Sequence, residues 1–238
     1  MPNEVIFIGQ TLIGLAFTLL AFRLGRQWLY AFIAMSIVLA NIFVTKQFDL
    51  FGLGATGGNV VYGAIFLATD LLSEHYGRSA ARKGVFVGLV AAVFYLVMSQ
   101  LILLYQPNSS DWGASEGMIS IFSSGPAIIL ASLAAYLVSQ LHDVWAFHLW
   151  KQKFSGRWLW LRNNLSTLVS QALDTVIFAS LAFYLLPKIF HSAGSLSGTA
   201  LAEVLLTTYL FKLVVAIIDT PFIYLSYHLK PEASSPVE

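Results

Sequence analysis

The sequence predicts an all-α, polytopic membrane protein, a bundle of about seven transmembrane helices. Of its 238 residues, 58% are hydrophobic and 11% charged, with a mean hydropathy of +0.75. A water-facing surface needs about a quarter of its residues charged, whereas lipid needs none. Four segments, 5–22, 27–45, 84–105 and 117–141, carry no charge at all. Each approaches or exceeds the roughly 20 apolar residues that span a bilayer. A third observation, the one-sided placement of Lys and Arg, appears once the helices are threaded.

The first helix is expected over 5–22 and the second over 27–45. Residues 1–4 hold no Lys or Arg, so the first stretch lacks the basic region of a cleaved signal peptide and is expected to stay as a helix. The third, 60–76, is apolar but carries Asp70 and Glu74. The fourth covers 84–105. The fifth, 118–149, runs from the uncharged stretch on through His142 and Asp143. The sixth, 164–186, carries Asp174; the seventh, 201–228, carries Glu203, Lys212 and Asp219. Short loops leave no second domain, so one transmembrane domain is expected over 1–230, with 231–238 a disordered cytoplasmic tail.

The loops differ in character. Segment 46–59 is rich in glycine yet apolar at Phe48, Leu50, Phe51 and Leu53, and is expected to form a tight external hairpin or to dip into the bundle. Segments 106–116 and 187–199 read as ordinary external loops, with Pro, Gly and Ser as breakers. Segment 151–162 mixes basic residues with Phe154, Trp158 and Trp160; it is expected as a short interfacial helix or a loop on the headgroups.

With the N-terminus outside, ten of the 13 Lys and Arg fall in the inner loops and only Lys46 and Lys188 in the outer ones. Lys and Arg gather on the cytoplasmic side of membrane proteins. The expected arrangement is therefore an outside N-terminus and a cytoplasmic C-terminus, in the inner membrane of a bacterium. Trp28, Trp158 and Trp160 fall at the cytoplasmic interface, where amphipathic rings belong.

Charges inside the spans carry the functional signal, since one near the bilayer centre costs on the order of 3 kcal/mol. Asp174 and Lys212 sit ten or more residues from either end of their spans. One reading makes Lys212 the structural ion-pair partner of Asp174 or of Asp219, which lies seven residues on and on the same helical face. The other makes these groups the lining of a polar cavity. One lysine between two acids leaves a carboxylate over, which favours a site. Glu74 and His75 read as interfacial, beside Arg78; Asp70, a turn deeper, reads as part of a path.

Gln140 with Asp143, and Gln171 with Asp174, each set an amide beside a carboxylate, a combination suited to a planar heterocycle. LVSQLHD at 137–143 and LVSQALD at 168–174 repeat Ser-Gln-x-x-Asp on consecutive helices of opposite direction, as inverted repeats of transporters do.

Other chemistries lack support. The chain has no cysteine and a net charge of +1, so disulfides and thiolate sites are excluded and no nucleic-acid partner is indicated. No HExxH motif or Walker-type phosphate loop occurs. His142 and His148 read as interfacial. No cofactor, metal or catalytic residue is expected.

Four stretches, FLATDLLSEHYGRSAAR (66–82), YLVSQLHDVWAF (136–147), WLWLRNNLSTLVSQALDTVIF (158–178) and FKLVVAIIDTPFIYL (211–225), place charged signatures inside membrane helices. In these stretches, and in their order and spacing over 31–229, the chain resembles the queuosine precursor transporters of bacteria, the VUT family. The resemblance implies a six-helix core, with the first span outside it, and uptake of 7-cyano- or 7-aminomethyl-7-deazaguanine for queuosine in tRNA. The matching polar positions are Asp70, Glu74, Gln140, Asp143, Arg162, Asn163, Ser166, Gln171, Asp174, Lys212 and Asp219.

The reading carried forward is a transporter, not an enzyme, for a 7-deazaguanine nucleobase in a lipid bilayer. Asp174 and Lys212 stand at the centre of the expected substrate site, with Asp143, Gln171 and Asp219 beside them. Asp70, Gln140 and Asn163 complete it, Asp70 nearer the cytoplasmic gate. A guanine-like edge offers paired N–H donors to a carboxylate and an oxygen to a cation. Three rivals remain open: a solute-binding subunit that works with a partner ATPase, an intramembrane acid–base enzyme, and a structural or assembly protein whose intramembrane charges only staple helices. Homo-oligomerisation is open as well.

Overall fold

In a computed structural model, residues 2–122, 126–186 and 198–229 are described. Lys188 and most of the expected loop at 187–199, Lys230 and the tail at 231–238 lie outside the described residues.

Helix α1 (Asn3–Leu24) turns at Gly25 into α2 (Arg26–Phe43). Gly25 adopts a φ of 114°, a region that L side chains avoid, and its N–H closes on the Ala21 and Phe22 carbonyls. Strands β1 (Gln47–Leu50) and β2 (Leu53–Thr56) then form an antiparallel hairpin, with Leu50 paired to Leu53. The two turn residues, Phe51 and Gly52, both have positive φ (52° and 76°), as a two-residue turn matched to the strand twist requires. Glu4 accepts the Phe51 N–H at 2.9 Å, and Asn3 donates to the Asp49 carbonyl at 2.9 Å. Leu50 and Ala55 pack under the hairpin with Phe7, Val60, Phe211 and Val215. The apolar residues of 46–59 are thus used to seat a hairpin on the bundle.

Helix α3 (Gly58–Leu71) continues through a π turn (Leu72–Tyr76) and breaks at Gly77, with φ of 85°, into α4 (Gly77–Ile102). Helix is described again over α5 (Ala114–Phe122) and α6 (Pro126–Lys153). Within the uncharged stretch 117–141, residues 117–122 lie in α5 and residues 126–141 in α6. Segment 151–162 does not hold a helix of its own. Instead α6 runs to Lys153, and Ser155, Gly156 and Trp158, all with positive φ, reverse the chain into α7 (Leu159–Ser180). A π turn (Leu181–Leu185) follows α7. Helix α8 (Gly198–Leu225) ends in a 3-10 turn (Ser226–His228).

Among the described residues, five helical runs are long and apolar enough to cross a membrane. One of them, Gly58–Ile102, has 45 residues and is two crossings in one, divided at Gly77. Helix α6, at 28 residues, is about 42 Å long by its rise per residue, enough for a hydrocarbon core of about 30 Å. The protein is an all-α, multi-pass membrane bundle with one small hairpin. On α4, Phe86, Val90, Phe94, Val97 and Leu101 are exposed at steps of three and four, a lipid-facing stripe.

The bundle has two distinct ends. The N-terminus and the hairpin mark one, the hairpin end. The turns that hold Arg23, Arg78, Lys151 and Arg157 mark the other, the basic end. Packing between helices is closest at two glycines. A Cβ on Gly63 would lie 2.0 Å from Val215 Cγ1, and one on Gly88 would lie 2.1 Å from the Tyr136 hydroxyl. Tyr136 uses that approach to donate to the Val85 carbonyl at 3.1 Å.

Candidate functional site: a polar column under an open cavity

On α7, Asn163, Ser166, Thr167, Ser170, Gln171 and Asp174 recur at three- and four-residue steps and are all buried, while Val169 and Val176 on the far side are exposed. An apolar face turned to lipid and a polar face turned inward invert the soluble pattern. Buried polar side chains on α3 (Thr69, Asp70), α6 (Ser139, Gln140, Asp143) and α8 (Lys212, Asp219) complete a column through the bundle. It is organised in three levels.

At the upper level, nearest the hairpin, Lys212 forms an ion pair with Asp174. Ser139 donates to the other Asp174 oxygen at 3.1 Å, and the Lys212 ammonium lies 5.1 Å from the centre of the Tyr62 ring. The pair lines a cavity of about 630 Å³, a volume ordinary for small-molecule sites. Asn41, Asn59, Ser132 and Phe178 line its walls, and Phe48 and Asp49 of the hairpin stand over it. Lys212 and Asp174 come from different helices. The cavity floor is therefore an acid and a cation that a solute can separate, not a covalently fixed patch.

About 10 Å further along α8, seven residues at the helical rise, the middle level holds three buried aspartates. Asp219 accepts from the Asn163 amide at 3.3 Å. Asp70 and Asp143 lie side by side with Thr167 next to both and Ser166 and Ser170 beside Asp143. Among the described residues, none of the four Asp70 and Asp143 oxygens is in hydrogen-bond geometry with a donor, and the Thr167 hydroxyl beside them is likewise unpaired. The Ser166 and Ser170 hydroxyls are turned away, donating to the carbonyls of Asn163 and Ser166. Thr69 donates to the Gln140 side-chain oxygen at 3.0 Å, leaving the Gln140 amide nitrogen without an acceptor.

The lower level closes the column at the basic end. Glu74, in the π turn after α3, takes Arg162 of α7 at 2.6 Å and Lys151 of α6 at 3.0 Å, and accepts from Tyr227 after α8. Four elements are thus tied through one carboxylate. Arg162 is buried and lies 5.3 Å from the centre of the Phe147 ring.

Of the eight site residues predicted from sequence, Asp174 and Lys212 line the cavity. Gln171 is buried on the same α7 face without lining it. Asp70, Asp143, Asp219, Gln140 and Asn163 gather one level below. The open choice for Lys212 resolves to Asp174; Asp219, two turns further along α8, accepts from Asn163 instead. Glu74, expected as a headgroup-zone charge beside Arg78, is instead the hub of the lower level. Sequence reasoning missed Asn41, Asn59, Tyr62 and Phe178 as cavity residues. Asn59 and Tyr62 were findable, since they fall on the α3 face that carries Phe66 and Asp70.

Residues Gly113 to Gly117 spell G-x-S-x-G. They open α5 with no strand leading into them, so the strained strand–turn–helix setting that arms such a serine is missing.

A family model described as "Putative vitamin uptake transporter" matches residues 56–226, a span that includes Asp70, Asp143, Asp174, Lys212 and Asp219. The chain belongs to the vitamin uptake transporter family. A Bacillus subtilis (strain 168) protein named probable queuosine precursor transporter is 37% identical over 97% of each chain. The Escherichia coli (strain K12) queuosine precursor transporter is 31% identical over 80% of each chain. A Haemophilus influenzae protein, also named probable queuosine precursor transporter, is 31% identical over 80% of this chain and 81% of its own. No solved structure matches. As a member of this family the chain is a membrane transporter with a small-molecule substrate, and the resemblance read from its four polar stretches holds.

Proposed function

We propose that this transporter brings queuosine precursors, 7-cyano- or 7-aminomethyl-7-deazaguanine, into the cytoplasm, and that Asp174 and Lys212 bind them. The observation that carries this reading is the acid–cation pair in the wall of a cavity of about 630 Å³. A guanine-type edge presents two neighbouring N–H donors and one carbonyl oxygen. Asp174 would accept the donors and Lys212 would take the oxygen, so the solute exchanges one set of charge-assisted bonds for another. Tyr62 and Phe178 offer aromatic faces to a flat ring in the same cavity. The names of the three relatives support the solute.

Gln171 stands beside this pair, and Asp143, Asp219, Asp70, Gln140 and Asn163 belong to the route beneath it. The bundle acts as one transmembrane domain in a bacterial inner membrane. The Lys and Arg asymmetry supports an outside N-terminus and a cytoplasmic C-terminus. The cavity then opens outward and the Glu74 cluster closes the cytoplasmic end, the arrangement of a transporter ready to load. The test is queuosine in the tRNA of a bacterium that lacks its own precursor synthesis and uptake, expressing this chain and fed nanomolar precursor. Restored queuosine with the wild type, and none with a well-expressed Asp174→Asn, is the expected result. No queuosine despite good membrane expression overturns the solute assignment.

A further inference from the structure

We infer that the middle level is a proton site, in which Asp70 and Asp143 hold between them one proton that crosses with each solute. This rests on the transport reading above and names its energy source. The chemistry follows from what these two carboxyls lack. Among the described residues, they are the only carboxyl groups with both oxygens buried and unpartnered. Every other acid in the column has a donor: Lys212 and Ser139 for Asp174, Asn163 for Asp219, and Arg162, Lys151 and Tyr227 for Glu74.

Two neighbouring carboxylates in a low-dielectric interior cannot both stay ionised; one proton shared between them removes the repulsion and supplies the missing hydrogen bond. The unsatisfied Gln140 amide, three residues before Asp143 on α6 and bonded to Thr69 next to Asp70, is a second sign of an unfinished site. It is a donor free to stabilise the pair once the proton has gone. A multivalent metal fits less well, since no grouping of His, Asp or Glu among the described residues is arranged to hold one.

The surroundings keep the proton where it is. From α8 the pair faces Asp219, a third acid. From α7 the charged neighbours are Arg162, bound to Glu74 on the basic side, and Asp174, bound to Lys212 on the cavity side. On α6, His142 shares a 2.9 Å hydrogen bond with Ser170, and His148 and Lys151 lie toward the basic end. Helix α3 and its π turn add Glu74 and His75, the latter bonded to Ser226. The charged residues of α1, α2 and α4 are Glu4, Arg23, Arg26, Arg78, Arg82 and Lys83, all near helix ends. Among the described residues, no cation is paired with Asp70 or Asp143.

Proteoliposomes of the full chain and radiolabelled 7-cyano-7-deazaguanine, a neutral solute, provide the test. With the hairpin side one pH unit more acidic, one-proton cotransport allows about tenfold accumulation, and a protonophore removes it. In Asp70→Asn and Asp143→Asn, each checked for a monodisperse peak in detergent, solute exchange should lose its pH dependence whatever its absolute rate. Should either variant be inactive, a pH-sensitive dye in wild-type liposomes decides: one proton taken up per solute supports the site, and none overturns it. Accumulation driven by a sodium gradient, or exchange by the wild type that ignores pH, overturns the proton site and leaves the solute reading intact. No exchange of the precursor by the wild type overturns both.

Discussion

Ser139 of α6 donates a 3.1 Å hydrogen bond to Asp174 of α7, and the relation is nearly reciprocal. Ser170 of α7 bonds His142 of α6 at 2.9 Å and lies beside Asp143. Each serine belongs to one copy of the Ser-Gln-x-x-Asp string and serves the other copy. Two helices of opposite direction that carry the same string meet in this crossed way, as an inverted pair would. The crossing also links the cavity floor to the middle level, because one aspartate of the pair sits at each.

The Asp174–Lys212 pair should show strong coupling. Removing one partner of a buried pair leaves an unpaired charge and costs about 3–5 kcal/mol. Asp174→Asn and Lys212→Gln alone should each lower the melting temperature in detergent sharply. Together they should recover most of it, yet restore no queuosine in the uptake assay. Uptake by the double variant would reduce the pair to a structural staple.

Opening at the basic end should follow loss of Glu74. Glu74→Gln weakens the ties to Arg162 and Lys151 that join α6 and α7 to the π turn. The chain has no cysteine, so a single Thr167→Cys can be labelled without background. Membrane-impermeant maleimide applied from the basic end should label Thr167→Cys several-fold faster when Glu74→Gln is also present. Equal rates would remove the closing role from this cluster.

The close approach of α3 and α8 at Gly63 can be tested by compensation. Gly63→Ala forces its new methyl into Val215, and overpacking of this kind costs roughly 1–3 kcal/mol. Val215→Ala in the same chain should return most of the lost thermal stability. Additive losses would mean that the two helices are not in register as described.

Tyr62 should act through its ring. Tyr62→Phe keeps the face that lies 5.1 Å from the Lys212 ammonium, whereas Tyr62→Leu removes a cation–π contact of about 0.5–2 kcal/mol. Half-saturation for precursor uptake should stay near wild type in the first and rise several-fold in the second. Equal behaviour of the two variants would move the ring out of the binding wall.

The fold class was legible from the sequence because lipid tolerates so few charges that each one stands out. Asp70, Asp143, Asp174, Lys212 and Asp219 could be named before any coordinates, since a charge inside a span has no cheap reason to be there. Their grouping was not legible. Spacing shows that Lys212 and Asp219 share a face of one helix, but not which acid on another helix the ammonium reaches. Glu74 was misread for the same reason: beside Arg78 in sequence, it bonds Lys151, Arg162 and Tyr227, distant along the chain. The hairpin was half legible, as apolar residues in a glycine-rich loop; its place over the cavity depends on Phe7, Phe211 and Val215 beneath it.

Composition and the placement of charge therefore determined, by themselves, that this chain crosses a membrane many times with acids and a lysine inside it. Those are properties of single segments and need no partner. Tertiary structure alone decided that Lys212 neutralises Asp174, that Asp70 and Asp143 lie side by side with no described cation paired to either, and that four elements meet on Glu74. Each of these is a contact between helices. In a bundle, such contacts are set by how faces pack, which a close glycine such as Gly63 or Gly88 permits and which no single segment encodes.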